Sequence, residues 1–122
     1  MTELSLAESE LDKIKTLIQA KQMDVAEKQL QLIIAKSPKQ DEALYMCAVC
    51  QRYLGKYSLA LQTLAKLKIV IPEHSRAYQE LGHVYRAMGN VDAALNSYSQ
   101  ATLINPALEA SFRAQIEILY DI

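Results

Sequence analysis

The three prolines of this 122-residue chain stand at positions 38, 72 and 106, so that each follows the last by 34 residues. Proline lacks an N–H and disfavours helix in the residue before it, so each one breaks a helical run. A fixed period near 34 residues is the mark of stacked two-helix repeats. Such units bury their apolar faces against their neighbours. The period therefore predicts a binding surface rather than a catalytic pocket.

Other residues keep the same period. With the prolines at repeat position 32, the units begin at Ala7, Asp41, Ser75 and Glu109. Position 20 is then Ala26, Ala60 and Ala94; position 24 is Leu30, Leu64 and Tyr98. Position 15 is Lys21, Gly55 and Gly89, where a first helix ends and a left-handed residue is commonly needed. In the third unit Tyr78, Leu81, Gly82, Tyr85 and Ala101 occupy positions 4, 7, 8, 11 and 27. Small residues at Ala60, Gly82, Ala94 and Ala101 let helices approach, and the tyrosines and Leu81 fill the space around them. Asn90 reads as a helix N-cap, and Ser5 with Glu8 as a capping box. Apolar periodicity predicts seven helices, over 6–20, 23–36, 40–54, 57–70, 74–88, 91–104 and 107–121.

This pattern resembles the tetratricopeptide repeat (TPR) family over residues 7–122, most closely in the third unit. The second unit departs at Cys47 and Gln51, although Ala48 keeps the small residue at position 8. The first has Glu10, Lys13 and Ile14 where an aromatic, a Leu and a Gly are usual. The resemblance implies an all-α, right-handed solenoid of antiparallel helix pairs in a single domain, 1–122. Its repeats would be 7–40, 41–74 and 75–108, with a partial fourth repeat at 109–122 that supplies one additional C-terminal helix.

In that family the first helices of the units line a concave groove through positions 2, 5, 9, 12 and 13. Carried onto this chain, those positions give Glu8, Leu11, Lys15, Ile18 and Gln19 in the first unit. The second gives Glu42, Tyr45, Val49, Arg52 and Tyr53, and the third Arg76, Gln79, His83, Arg86 and Ala87. The partial unit gives Ala110, Arg113, Glu117, Tyr120 and Asp121. All four arginines of the chain, Arg52, Arg76, Arg86 and Arg113, fall in this set. Arginine forms bidentate contacts with carboxylates, and Arg and Tyr are enriched where binding energy concentrates. The expected function is a protein-interaction module, without catalysis of its own. It would bind a peptide, acidic or carboxylate-bearing, through Tyr45, Val49, Arg52, Tyr53, Arg76, Gln79, His83, Arg86, Arg113 and Tyr120. The competing expectation is that the arginines pair with Glu42, Glu80 and Glu117 and bind nothing. The TPR subclass that clamps acidic chaperone tails uses Lys, Asn and Arg at positions held here by Leu11, Lys15, Met46, Arg76 and Glu80. Only Arg76 is compatible, so that ligand is not expected.

A formal net charge of −1 gives no electrostatic case for nucleic acid or an anionic membrane, which sets aside a helical-repeat RNA binder. No apolar run approaches the roughly 20 residues of a membrane span, and the first residues lack the pattern of a signal peptide, so a cytoplasmic location is expected. Cys47 and Cys50 form a C-x-x-C, but no second cysteine pair completes a zinc site and no strand precedes it. Both are expected to be small buried residues. No cofactor or metal is expected. His83 would be a groove contact, and His74 an inert turn residue.

Phe112, Ile116 and Leu119 form an apolar stripe on the last helix, with Ile118 and Ile122 nearby. Either the stripe packs back onto the second helix of the third unit, or it lacks its partner and offers a route to a homodimer. The stretch Leu103–Phe112 resembles the repeat junction of bacterial TPR-linked sulfotransferases. That resemblance implies an alternative, the non-catalytic N-terminal TPR region of a larger enzyme.

Overall fold

The computed structural model describes the backbone of residues 3–120 and the side chains of residues 9–120. Among the described residues the regular structure is seven helices with no strand. They are α1 (Glu3–Gln19), α2 (Met23–Lys36), α3 (Asp41–Tyr53), α4 (Tyr57–Val70), α5 (Ser75–Ala87), α6 (Val91–Ile104) and α7 (Glu109–Tyr120). The class is an all-α helical repeat, as the period predicts. Helix α1 begins at Glu3, two residues before Ser5, so Ser5 does not stand at the helix start. The side chains of the Ser5–Glu8 box lie outside the described residues.

The turn inside each repeat is built the same way three times. Lys21, Gly55 and Gly89 all have positive φ, at 62°, 76° and 82°. The amide one residue later bonds back across the helix end: Gln22 N to Leu17 O, Lys56 N to Gln51 O and Asn90 N to Tyr85 O, at 2.8–2.9 Å. The amides of residues 21, 55 and 89 close the tighter inner bond to Ile18, Arg52 and Arg86. This double bond satisfies carbonyls that the helix leaves orphaned. Lys21 holds the glycine conformation with a side chain attached.

The starts of α3, α5 and α6 are capped by side chains. Asn90 Oδ1 accepts from Ala93 N at 3.2 Å. Gln40 and His74 occupy the same repeat position, and each accepts from the helix that follows: Gln40 Oε1 from Glu42 N at 3.0 Å, His74 Nδ1 from Ala77 N at 3.1 Å. His74 is therefore a structural cap rather than an inert turn residue. The third such position is Leu108, whose side chain cannot accept; Asn105 Oδ1 accepts from Ala107 N at 3.1 Å in the turn that precedes α7.

The chain divides into two compact units, Met1–Thr63 and Leu64–Ile122. In the first, Leu11 and Ile14 of α1, Ala26, Leu30 and Ile33 of α2, and Ala43, Met46, Cys47 and Cys50 of α3 form one buried cluster. Both cysteines are fully buried thiols within it. Two polar contacts in this unit engage buried side chains. Thr63 Oγ1 donates to Gln51 Oε1 at 2.7 Å, and the nearly buried carboxylate of Glu27 meets Lys56 Nζ at 2.6 Å.

In the second unit Tyr98 of α6 is fully buried against α5. A Cβ at Gly82 would lie 2.5–2.8 Å from the Tyr98 ring carbons, which explains the glycine. The Tyr98 hydroxyl lies 2.7 Å from His83 Nδ1, and the two rings meet edge to face. Helix α7 packs on α6 through Ala114 and Ile118, and Ser111 is fully buried beside them. Phe112, Ile116 and Leu119 are 43%, 51% and 66% exposed. The stripe thus does not pack back onto α6; the neighbouring face of the helix does.

Two stability changes follow. Gly82→Ala gains helix propensity of about 1 kcal/mol but drives a methyl into the Tyr98 ring, and overpacking costs about 1–3 kcal/mol. A net loss is expected in thermal unfolding followed by circular dichroism, largely recovered in Gly82→Ala/Tyr98→Leu; an unchanged or raised midpoint in the single variant contradicts the close contact. Lys21→Gly removes a left-handed strain of about 1–2 kcal/mol against a smaller entropic penalty. A modest rise in the unfolding midpoint is expected, and a fall would show that the Lys21 side chain contributes more than its backbone costs.

Candidate functional site

Each unit carries part of the expected binding surface. In the first, Tyr45 and Val49 are half-buried on α3, while Tyr53 at its C-terminus is 61% exposed. The Arg52 guanidinium lies over the Tyr53 ring at 4.6 Å from its centroid, a cation–π contact that holds both side chains. Tyr53 and Leu54 border an open depression of about 520 Å³, whose other walls are Ile18, Gln19, Lys21, Met23 and Asp24. Ile18, Gln19 and Tyr53 are all expected groove residues. Leu11 is not on this surface. It is 5% exposed and belongs to the buried cluster with Ala43 and Met46. A leucine at a position that is usually polar gains more by burial than by facing water. Glu8 lies outside the described side chains.

In the second unit Arg76 and Arg86 on α5 and Arg113 and Tyr120 on α7 are exposed, and Gln79 and His83 are half-buried. Two contacts tie α5 to α7. Gln79 Oε1 accepts from the buried Ser111 hydroxyl at 2.7 Å, and Arg86 Nη2 donates to Glu117 Oε2 at 3.0 Å. The Arg86–Glu117 pair realises the competing expectation at Arg86. His83 shares the expected face, but its Nδ1 is engaged by Tyr98, so it also serves the core. Asp121 lies outside the described residues.

Two roles were illegible before the structure. His74 caps a helix although histidine is no strong capping residue. Gln51 and Glu80, 1% and 2% exposed, are polar residues buried in helices whose spacing marks those positions as core. The spacing was the signal; the residue types pointed the other way. Among the described residues no group of three His, Cys, Asp or Glu side chains could hold a metal ion, and no helix is long and apolar enough to cross a membrane.

The tetratricopeptide repeat family model matches residues 75–108, the third unit. That segment is a tetratricopeptide repeat. No curated protein sequence matches the chain significantly. Solved TPR structures carry the same fold over most of its length. YrrB, a TPR protein with an unusual peptide-binding site, is similar at 23% identity over 84% of this chain and 53% of its own, with a TM-score of 0.80. The chain thus spans about half the length of YrrB. The Yersinia enterocolitica type III secretion chaperone SycD, in complex with a peptide of the translocator YopD, is similar at 12% identity over 98% of both chains, with a TM-score of 0.84. The first TPR of Spaghetti (RPAP3), bound to the HSP90 peptide SRMEEVD, gives 15% identity, 94% and 91% coverage and a TM-score of 0.85. At these identities the likeness establishes the TPR fold alone. At the positions that clamp acidic chaperone tails, this chain buries Leu11, Met46 and Glu80.

The Arg86–Glu117 pair is more than a third exposed on both sides, with side-chain exposures of 39% and 36%. Exposed pairs contribute about 0.2–1 kcal/mol and are screened by salt. A double-mutant cycle on Arg86→Ala and Glu117→Ala is expected to give a coupling under about 1 kcal/mol that fades in 1 M salt. A coupling well above that would mean the pair is a structural tie and not an available binding group.

Proposed function

We propose that the chain is a protein-interaction module that binds a peptide segment of a partner protein. The contact residues are Tyr45, Val49, Arg52 and Tyr53 in the first unit and Arg76, Gln79, His83, Arg86, Arg113 and Tyr120 in the second. The reading rests above all on the open depression beside Tyr53, with the Arg52–Tyr53 stack at its edge. Ile18, Met23 and Leu54 offer it an apolar wall for one side chain of the ligand, Lys21 stands on its wall with Asp24, and Arg52 stacks on the Tyr53 that borders it. That arrangement suits an apolar residue next to a carboxylate. The peptide complexes of SycD and Spaghetti, which share the fold, lend support to this class of ligand. In this proposal the segment 1–122 is itself non-catalytic, whether it acts alone or within a larger enzyme, and it works in the cytoplasm.

The test is a peptide array with free C-terminal carboxylates, acidic and neutral, followed by calorimetry on the strongest binder. Tyr53→Ala and Arg52→Ala are each expected to weaken binding about tenfold or more, and affinity to fall as salt rises. Affinity unchanged in Arg52→Ala, Tyr53→Ala and Arg113→Ala alike would remove this surface from consideration.

A further inference from the structure

Three turns of this chain take the same left-handed step, at Lys21, Gly55 and Gly89, and two of the three use glycine for it. A side chain there costs backbone strain that glycine escapes. The strain arises at the Cβ and is indifferent to the rest of the side chain, so the turn itself gives no reason for an ammonium. The surroundings of the three residues differ. A Cβ at Gly55 or Gly89 would meet nothing within 4 Å, so both of those turns stand open. Lys21 stands instead on the wall of the open depression of about 520 Å³, with Ile18, Met23, Asp24, Tyr53 and Leu54. A strained residue that persists at the edge of a cavity points to use of its side chain there. The lysine that follows the second turn, Lys56, is held by the nearly buried carboxylate of Glu27 at 2.6 Å. Lys21 is exposed, and among the described residues its ammonium has no hydrogen-bond or ion-pair partner.

We propose that Lys21 is the residue through which this depression selects a carboxylate. Its ammonium pairs with the carboxylate of a peptide segment whose neighbouring apolar side chain lies against Ile18, Met23 and Leu54. The inference rests on the reading of the depression as a binding site, and it adds the group that chooses the ligand. Lys21 is the one cation on that wall and Asp24 the one anion. Arg52 places a second cation over the Tyr53 ring that borders the depression, so an incoming anion is favoured over a cation. A compact ammonium on a flexible stem makes no bidentate demand, so a C-terminal carboxylate and an Asp or Glu side chain can both meet it. Glycine at this position would relieve the turn and remove the selecting group together, which sets stability against binding at a single residue.

The probes are small blocked amino acids, titrated onto the intact, isotopically labelled protein and followed by amide NMR shifts. N-acetyl-leucine carries an apolar side chain and a terminal carboxylate, N-acetyl-Leu-Asp amide carries only a side-chain carboxylate, and N-acetyl-leucinamide carries none. Shifts at residues 18–24 and 53–54 are expected with both acids, at a dissociation constant on the order of 1–10 mM, and the tighter acid names the source of the carboxylate. Lys21→Gln keeps the Cβ and the strain, so its unfolding midpoint is expected to match that of the parent. It is expected to weaken both acids about three- to fivefold and to leave the neutral amide unchanged, while Lys21→Arg keeps the parent's affinity. Lys21→Gly is expected to bind the acids no better than Lys21→Gln. Equal affinity for the acids in the parent and Lys21→Gln, with Tyr53→Ala still weakening them, overturns the inference and leaves the depression as a binding site. Tighter binding of leucinamide, which brings an ammonium in place of the carboxylate, overturns it in favour of Asp24. No shift at the depression with any probe at about 30 mM overturns the inference and the reading of the depression together.

Discussion

Tyr98 lies against the backbone of Gly82, and the second unit is arranged around that contact. A glycine there removes the one atom that would hold the ring off, so α5 and α6 approach closely enough to seal the aromatic completely. The hydroxyl would then be a buried polar group needing a partner, and His83 supplies it. One residue thus sets both packing and surface. His83 is turned so that its ring belongs partly to the core, while Gln79 and Arg86, one turn before and nearly one turn after, reach across to α7. The contacts to Ser111 and Glu117 depend on α5 being held at this depth and rotation.

The first unit reaches a similar end by other means. In its second repeat the equivalent of Gly82 is Ala48. The space where the third unit has Tyr85 holds the Gln51 amide, bonded to Thr63. Glu27 adds a nearly buried carboxylate answered by Lys56. Burying such groups is tolerable only because each is bonded, and among the described side chains no buried polar atom is left without a partner. The repeat therefore fixes where helices lie, not which chemistry fills the gap between them.

That distinction explains what could be read in advance. The period, the glycines at 55 and 89, the Asn90 cap and the extents of α2 to α7 follow from backbone rules that act locally, and all agree with the structure to within about two residues. Helix α1 begins at Glu3, three residues before the expected residue 6, because nothing in the residues before Ser5 enforces a boundary. Leu11 was assigned to the groove by position, yet its apolar side chain is claimed by the core. Capping by Gln40 and His74 was missed because neither is a preferred cap, and only the local turn brings their acceptors to the amides. On α7 the large residues left two outcomes open, and the structure exposes them. Two small residues, Ser111 and Ala114, are instead what allow α7 to sit on its neighbours.

The side chains of the proposed surface are engaged in different ways, and the difference bears on what a ligand could gain. A carboxylate approaching Arg86 must compete with Glu117, so the exchange of one charged hydrogen bond for another contributes little net energy. Arg52 is stacked on Tyr53 by the face of its guanidinium. Such stacking restricts the side chain before a ligand arrives and lowers the entropy lost on binding. A ligand able to displace Glu117 must bring its own negative charge to the same point, and a neutral peptide would leave the pair intact.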